Sequence, residues 1–158
     1  RHVAESFDNG LEYFNTFGGN PVCAAAALAV LDMLRDEQLP CRAGATGDYL
    51  CARLWELAAE PAGRLVGDVR GRGLFVGVEL VRDRATLEPA SAETSRACSR
   101  LKDEYNVLTS VDGPHDSVIV IKPPMVFSER DVDTFVGALR TVLSTLGEVD
   151  PAAKHTPR

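Results

Sequence analysis

The stretch T-F-G-G-N-P brings together residue types that can hold an anion. Asn20 suits the cap of a helix, and Pro21 suits its first position, where an N–H group has no partner within the helix. Gly18 and Gly19 can adopt positive φ and turn consecutive N–H groups toward one point, and the Thr16 hydroxyl adds a donor. Because a helix N-terminus carries unpaired donors and about half a positive charge, these residues predict an anion cradle. An ordinary capped helix after a glycine turn explains the same residues.

A second glycine cluster, from Gly71 to Gly77, does not fit a nucleotide-binding loop. The dinucleotide fingerprint needs a glycine at position 76 and a helix after it, whereas a strand pattern follows here. We expect these glycines to let a strand bend and another backbone approach closely. Glu79 alternates with apolar residues on that strand, and we expect it to have a paired structural role.

Catalytic candidates are sparse. No serine lies in a G-x-S-x-G elbow, and no pair of carboxylates stands apart from the charged helix faces. The histidines and lysines follow no catalytic pattern: His2, His115, His155, Lys102, Lys122 and Lys154. The residues themselves therefore suggest a binding part of a larger site, with no catalytic residue in this chain.

Composition narrows the possible partners. The net charge of −6 and pI near 5.1 disfavour binding to nucleic acid or to an anionic membrane, because both need a basic face. No apolar run reaches the ~18 residues of a membrane span, and no leader pattern opens the chain. Four cysteines lie among small apolar residues without metal-ligand spacing, so we expect buried, reduced thiols in a metal-free, cytoplasmic protein. The first residue, Arg1, is not a methionine, which favours a piece of a longer polypeptide.

Periodicity predicts an α/β arrangement, with a short and mostly antiparallel sheet covered by helices. The run from Val22 to Leu34 is apolar nearly all round, so we expect it to be buried between layers or subunits. Ser128 and Asp131 form a capping box before the best amphipathic pattern. The other predicted elements are helices at 44–59 and 91–104 and strands at 74–81, 106–111 and 117–121.

Three stretches resemble, in this order, the C-terminal third of class III aminotransferases. They are FNTFGGNPVCAAAALAVLDML, GDVRGRGLFVGVELV and IKPPMVFSERDVDTF. These aminotransferases are pyridoxal-phosphate (PLP) enzymes of fold type I, and the resemblance runs from about Phe7 to Leu146. FDNGLEYFNTFGGNPV and VDGPH…IKPPM look most like the branch related to alanine–glyoxylate aminotransferases. That branch includes ethanolamine-phosphate phospho-lyase and phosphohydroxylysine phospho-lyase.

The resemblance implies a domain organisation and a cofactor site. Residues 1–38 would be the end of the large PLP-binding domain and the interdomain helix, 39–149 the C-terminal small domain, and 150–158 a disordered tail. In the family, the threonine that matches Thr16 binds the PLP phosphate in the active site of the partner subunit, and we expect Phe17, Gly18 and Gly19 of the same stretch to bind the cofactor with it. A shared site implies a homodimer or a higher oligomer.

The resemblance also indicates what this chain lacks. The family's cofactor-bonding lysine, and the aspartate that pairs with the pyridine nitrogen, lie upstream of these motifs. None of the chain's lysines matches that motif, so we expect the chain to be inactive by itself.

The residue expected to recognise the substrate also departs from the family pattern. Many class III transaminases carry an arginine for the substrate α-carboxylate at the position of Val120, and valine cannot bind a carboxylate. Lys122, two residues on along the same strand face, could partly substitute, or it could be a solvated charge at the strand end. Three hypotheses follow: an aminotransferase acting on an amine or amino acid and a keto or aldehyde acceptor, a PLP-dependent phospho-lyase, and a non-catalytic binding module.

Overall fold

A computed structural model of the chain describes residues 1–10 and 14–147 and divides into two compact units. The first unit, residues 1–38, holds helices α1 (His2–Phe7) and α2 (Pro21–Asp36). The second unit begins at Leu39. The assignment of these segments to a large and a small domain stays a prediction. The predicted disordered tail, 150–158, lies outside the described residues.

The second unit is a sheet with helices. Its elements in chain order are α3 (Leu39–Ala59), a 3₁₀ turn (Pro61–Gly63), β1 (Val66–Arg72), β2 (Phe75–Asp83), β3 (Glu88–Pro89), α4 (Ser91–Tyr105), β4 (Ser110–Asp112), β5 (Val118–Ile121) and α5 (Glu129–Ser144). The sheet order is β1-β2-β5-β4, with β3 also paired to β2, and every pairing between described strands is antiparallel. The predicted antiparallel sheet covered by helices is confirmed.

Strand β2 shows why this sequence forms a half-buried strand. Val76, Val78 and Leu80 are wholly buried, whereas Phe75, the first residue of the strand, is 62% exposed. Opposite Val78, in register on β5, lies the buried Ile119. Alternate residues of neighbouring strands thus form one apolar face, which packs with α3, α4 and α5 into a single core.

Helix α5 follows its sequence signals closely. Ser128 N–H donates to Asp131 Oδ2 at 2.9 Å, and Asp131 N–H donates to Ser128 Oγ at 3.4 Å, so the capping box is formed. The apolar residues predicted on one face are all buried: Val132, Phe135, Val136, Leu139, Val142, Leu143 and Leu146.

Two predicted boundaries are wrong. Helix α3 begins at Leu39 rather than at Gly44, because Pro40 lies in its first turn, where the missing N–H needs no partner. The strand predicted from Asn106 is shorter, Ser110–Asp112. Asn106 instead ends α4 in the left-handed conformation, with φ 55°, and its N–H caps the last turn.

The glycine cluster has the structural role expected from its position. A Cβ on Gly71 would lie 2.2 Å from the Phe75 carbonyl oxygen, and Gly73 has φ +55° in the turn between β1 and β2. On α3, a Cβ on Gly47 would lie 2.0 Å from the Gly73 carbonyl oxygen. Close approach of a helix to the hairpin therefore requires glycine, and the prediction of close backbone contact is confirmed.

Helix α2 is exposed in this chain by itself, and its burial between layers or subunits stays a prediction. None of the described residues in 1–38 is buried, and Val22, Leu28 and Leu31 are 76%, 61% and 59% exposed. Apolar periodicity reports how hydrophobic a helix is, but it does not report which surface covers it.

The cysteine prediction is wrong for two of the four residues. Cys23 and Cys41 are exposed, whereas Cys51 and Cys98 are half-buried, and all four are free thiols. Burial raises the pKa of the Cys51 and Cys98 thiols. Cys23 lies on the exposed helix α2, whereas Cys41 lies in the first turn of the core helix α3 but is itself exposed, so small apolar neighbours in sequence do not guarantee burial.

Candidate functional site

The turn before α2 is held by its own polar groups. Residues Thr16 to Gly19 form the turn, and Asn15 binds it twice. The Phe17 N–H donates to Asn15 Oδ1 at 3.3 Å, and the Gly18 N–H donates to the Asn15 carbonyl oxygen at 3.2 Å. The Asn20 N–H then donates to the Phe17 carbonyl oxygen at 3.0 Å, which closes the turn against the helix.

The start of α2 confirms the predicted cap but leaves no free helix donor. Asn20 Oδ1 accepts from the Val22 N–H at 2.9 Å and from the Cys23 N–H at 3.2 Å. Pro21 has no N–H, and the Ala24 N–H already donates to the Asn20 carbonyl oxygen. The prediction that the helix N-terminus itself offers unpaired donors to an anion is therefore wrong, because its own cap takes them.

The two glycines do not have the conformation that the sequence suggested. Positive φ among the described glycines occurs at Gly10, Gly71, Gly73 and Gly113, so neither Gly18 nor Gly19 adopts it. Gly18 instead lies directly against the Asn15 side chain. A Cβ there would lie 2.9 Å from Asn15 Nδ2 and 3.0 Å from Asn15 Cγ, so the asparagine side chain would have to shift to make room for it.

What remains in the turn is a small set of donors. Among hydrogen bonds between described residues, none uses the Thr16 hydroxyl, the Thr16 N–H or the Gly19 N–H. Thr16, Phe17, Gly18 and Gly19 are all exposed, and a Cβ on Gly19 would meet nothing within 4 Å. A hydroxyl and two amide groups suit a phosphate, whose terminal oxygens accept hydrogen bonds. The donor set therefore fits the phosphate of PLP.

The second candidate region is the sheet face opposite the core. Val120 is 7% exposed and pairs in register with Gly77 on β2 and Ser110 on β4. It lines a surface cavity of about 410 Å³ together with Arg70 and Phe75. Lys122 is exposed, and its Nζ lies 6.0 Å from the centroid of the Phe75 ring.

Lys122 does not line the Val120 cavity. It lines another, of about 250 Å³, whose walls include Thr109, Pro123, Asp131 and Phe135. Val120 lies on β5, but that strand ends at Ile121, so the prediction that Lys122 continues along the same strand face is wrong. Lys122 therefore shares neither a strand nor a cavity with Val120. The Thr16 turn and this sheet belong to different compact units.

An ion cluster beside Val120 was not foreseen from sequence. Arg70 Nη1 lies 2.6 Å from both Asp68 Oδ2 and Glu79 Oε2, and these hydrogen bonds raise the pKa of the guanidinium. Glu79 thereby has the paired structural role that we expected. The register of the hairpin could have predicted this cluster. Asp68 and Glu79 lie opposite each other across β1 and β2, and Arg70 lies on the same face.

The remaining candidates form no second site. Lys102 is exposed and pairs with Asp103 at 3.3 Å, and His115 is exposed while its carbonyl oxygen accepts from the Ser91 hydroxyl. His2 is exposed on α1, and Lys154 and His155 lie outside the described residues. Within 1–10 and 14–147, no group of three potential metal ligands is clustered, and no helix has the length and apolarity needed to cross a bilayer.

Comparison with known proteins decides the family. The family model "Aminotransferase class-III" matches residues 1–143. The chain belongs to the class III aminotransferases. A relative from Drosophila melanogaster, alanine–glyoxylate aminotransferase 2-like, is 42% identical over 145 residues, which are 91% of this chain and 29% of that protein. The chain thus spans less than a third of the length of this relative.

Solved structures of class III relatives agree with the fold. A phospholyase from Arthrobacter in complex with phosphoethanolamine matches with a TM-score of 0.83 and 38% identity, over 92% of this chain and 34% of that one. An amine transaminase from an uncultivated Pseudomonas species, in its PLP-bound form, matches with a TM-score of 0.76 and 31% identity, over 93% and 34%. The predicted family and its fold type I C-terminal architecture are confirmed.

Proposed function

We propose that this chain is the C-terminal part of a PLP-dependent class III aminotransferase and that Thr16 binds the cofactor phosphate. The observation that carries the proposal is the Thr16–Gly19 turn, whose hydroxyl and amide donors are unpaired among the described residues. The family match and the PLP-bound transaminase neighbour support PLP as the cofactor. The chain spans only 29% of the Drosophila relative and 34% of the Arthrobacter phospholyase. This supports a larger enzyme, in which another part supplies the cofactor-bonding lysine.

In this function, the chain's residues bind and orient. Bound PLP supplies an electron sink for charge that develops at the substrate Cα. The Thr16 hydroxyl, aided by the Thr16 and Gly19 N–H groups, anchors the phosphate, with Phe17 and Gly18 completing the turn. We place this anchor in the active site of a partner subunit, which makes the enzyme a homodimer or a higher oligomer with shared sites. The four free thiols favour a reducing, cytoplasmic compartment.

A phospho-lyase is the second candidate, and Val120 favours it. A carboxylate-binding arginine is absent at this position, and phosphoethanolamine has no carboxylate to recognise. The Arthrobacter phospholyase with phosphoethanolamine has a TM-score of 0.83 to this chain. Lys122 is a candidate for weak substrate binding in either enzyme. A non-catalytic module of the same fold is the remaining alternative.

The upstream coding sequence tests the enzyme proposals first. A large domain with the family's lysine supports an enzyme, and a stop codon or an unrelated domain there contradicts it. The complete enzyme is then incubated with phosphoethanolamine and, separately, with alanine plus glyoxylate. Phosphate release without a keto acceptor identifies the lyase, whereas acceptor-dependent amino transfer without phosphate release identifies the aminotransferase.

A further inference from the structure

We infer that Asn15 is a positioning residue for the phosphate-binding turn, acting through Thr16 rather than touching the cofactor. The inference rests on the proposed function and adds a residue to it. Asn15 binds two of the four turn residues: its side chain accepts from the Phe17 N–H at 3.3 Å, and its carbonyl oxygen accepts from the Gly18 N–H at 3.2 Å. These bonds turn two amide groups back toward Asn15.

The same bonds determine which donors stay available. Because Asn15 holds the Phe17 and Gly18 amides, the Thr16 and Gly19 amides and the Thr16 hydroxyl are left without partners among the described residues. Asn15 affects only the donors of the turn, because the helix donors at Val22 and Cys23 bind the cap residue Asn20 instead. Asn15 shapes the turn, and Asn20 begins the helix.

Gly18 and Asn15 act as a pair. A Cβ on Gly18 would lie 2.9 Å from Asn15 Nδ2 and 3.3 Å from Asn15 Cβ, so the asparagine side chain lies directly against the glycine. A larger residue at position 18 would push the asparagine side chain aside and disturb its hydrogen bond to the Phe17 N–H. Because the φ of Gly18 is not positive, the contact with Asn15, rather than the backbone conformation, favours glycine here.

The residue type at position 15 matches the charge of the ligand. The Phe17 N–H needs an acceptor, and an aspartate would supply one in the same geometry. An aspartate would also place a negative charge next to Thr16, which carries two of the three phosphate donors. Asparagine supplies the acceptor without that charge, as a site for a phosphate dianion requires.

The test measures how the complete enzyme binds PLP and pyridoxal, which lacks the phosphate. Asn15→Ala should weaken PLP binding by about three- to tenfold, the effect of one lost neutral hydrogen bond, and leave pyridoxal binding unchanged. Asn15→Ser, which keeps a weaker acceptor, should recover part of the loss. Asn15→Asp should keep the turn yet weaken PLP binding at least as much as alanine does. Asn106→Gly, at the end of α4, is the matched control and should change neither affinity.

Thr16→Ala and the double variant separate the inference from the proposed function. If Asn15 acts through Thr16, the double variant loses less than the product of the two single losses. Weakened PLP binding in Thr16→Ala together with unchanged binding in Asn15→Ala overturns the role of Asn15 alone. The role of Asn15 is also overturned if Asn15→Ala and Asn15→Ser each weaken PLP binding and pyridoxal binding equally, whether or not misfolding is the cause. No effect of Thr16→Ala, or no PLP binding by the unmodified enzyme, overturns both.

Discussion

The two compact units contrast in where their side chains lie. From Leu39 on, a sheet and three helices enclose a continuous core in which Leu54, Ile119 and Leu139 are wholly buried. Residues 1–38 bury none of their described side chains, yet they contain the turn whose donors best fit a phosphate. The unit with the stronger candidate site is thus the one without a core of its own.

This difference shows that the first unit is specified by interactions between residues close in sequence, and the second unit by interactions between distant residues. Helix α2 is specified by the Asn20 cap, Pro21 and a run of alanines, all of which act within a few residues. The second unit depends on pairs that lie far apart in sequence, such as Glu60 with Arg140. Mutations should therefore affect folding mainly in the second unit and ligand binding mainly in the first.

The largest expected effect is on the stability of the second unit. Leu54→Ala should lower the free energy of unfolding of the chain by about 2–5 kcal/mol, because it leaves a cavity at a wholly buried position. Leu28→Ala, at a 61% exposed position on α2, should change it by less than about 0.5 kcal/mol. Urea unfolding followed by circular dichroism measures both. Equal losses would show that Leu28 is buried in solution and would remove the contrast.

A comparable effect is expected on cofactor binding in the first unit. In the complete enzyme, Thr16→Ala should weaken PLP binding by roughly ten- to a hundredfold, because a hydroxyl bond to an ionised phosphate is lost. Thr16→Ser keeps the hydroxyl and should be much milder. Equilibrium titration with PLP measures both variants. An unchanged affinity in Thr16→Ala would leave the turn as a plain connection to a capped helix.

Much of the second unit could be predicted because its signals are periodic. The alternation of apolar residues predicted β2, and the capping box predicted the start of α5. Both patterns are formed by residues close in sequence. The strand predicted from Asn106 begins only at Ser110, because Asn106 itself ends α4 in the left-handed conformation. Arg70 with its two carboxylates was missed, since the cluster depends on hairpin register rather than on any motif.

In the first unit, the sequence predicted which residues form the turn and the helix cap, but not all of their contacts. The cap at Asn20 was correct, but the reason for Gly18 was wrong, because a steric contact with Asn15 cannot be seen from spacing. The role of Thr16 came from the resemblance to class III aminotransferases and remains a prediction. Sequence spacing located the donors, whereas the structure was needed to tell which of them are already used.

Two glycines on α3 test how closely the second unit is packed. Gly47→Ala should lower the free energy of unfolding by about 1–3 kcal/mol, because its Cβ would lie 2.0 Å from the Gly73 carbonyl oxygen. Gly44→Ala, three residues earlier, meets nothing within 4 Å and should stabilise the helix by about 0.5–1 kcal/mol. Thermal and urea unfolding of the pair give the sign directly. A neutral Gly47→Ala would mean that helix and hairpin can separate at little cost.

The smallest expected effect compares one ion pair from each unit. Arg140 binds Glu60 through two hydrogen bonds, at 2.7 and 3.0 Å, whereas Arg1 and Glu5 share one at 3.1 Å and are largely exposed. The Arg140 bonds hold the pKa of the Glu60 carboxyl below its ordinary value of 4.5. A carboxyl with a lowered pKa stabilises the folded state above its unfolded pKa, and that stability is lost as pH falls through the folded pKa.

Glu60→Gln should therefore lower the urea midpoint slightly near neutral pH, with a difference from the unmodified chain that shrinks as the pH falls below 4.5. Glu5→Gln should leave the midpoint unchanged across the same range, because a single exposed bond on a short helix contributes little. Denaturation curves at a series of pH values measure both variants. A constant difference for Glu60→Gln at every pH would show that packing around the side chain, rather than its charge, stabilises the second unit.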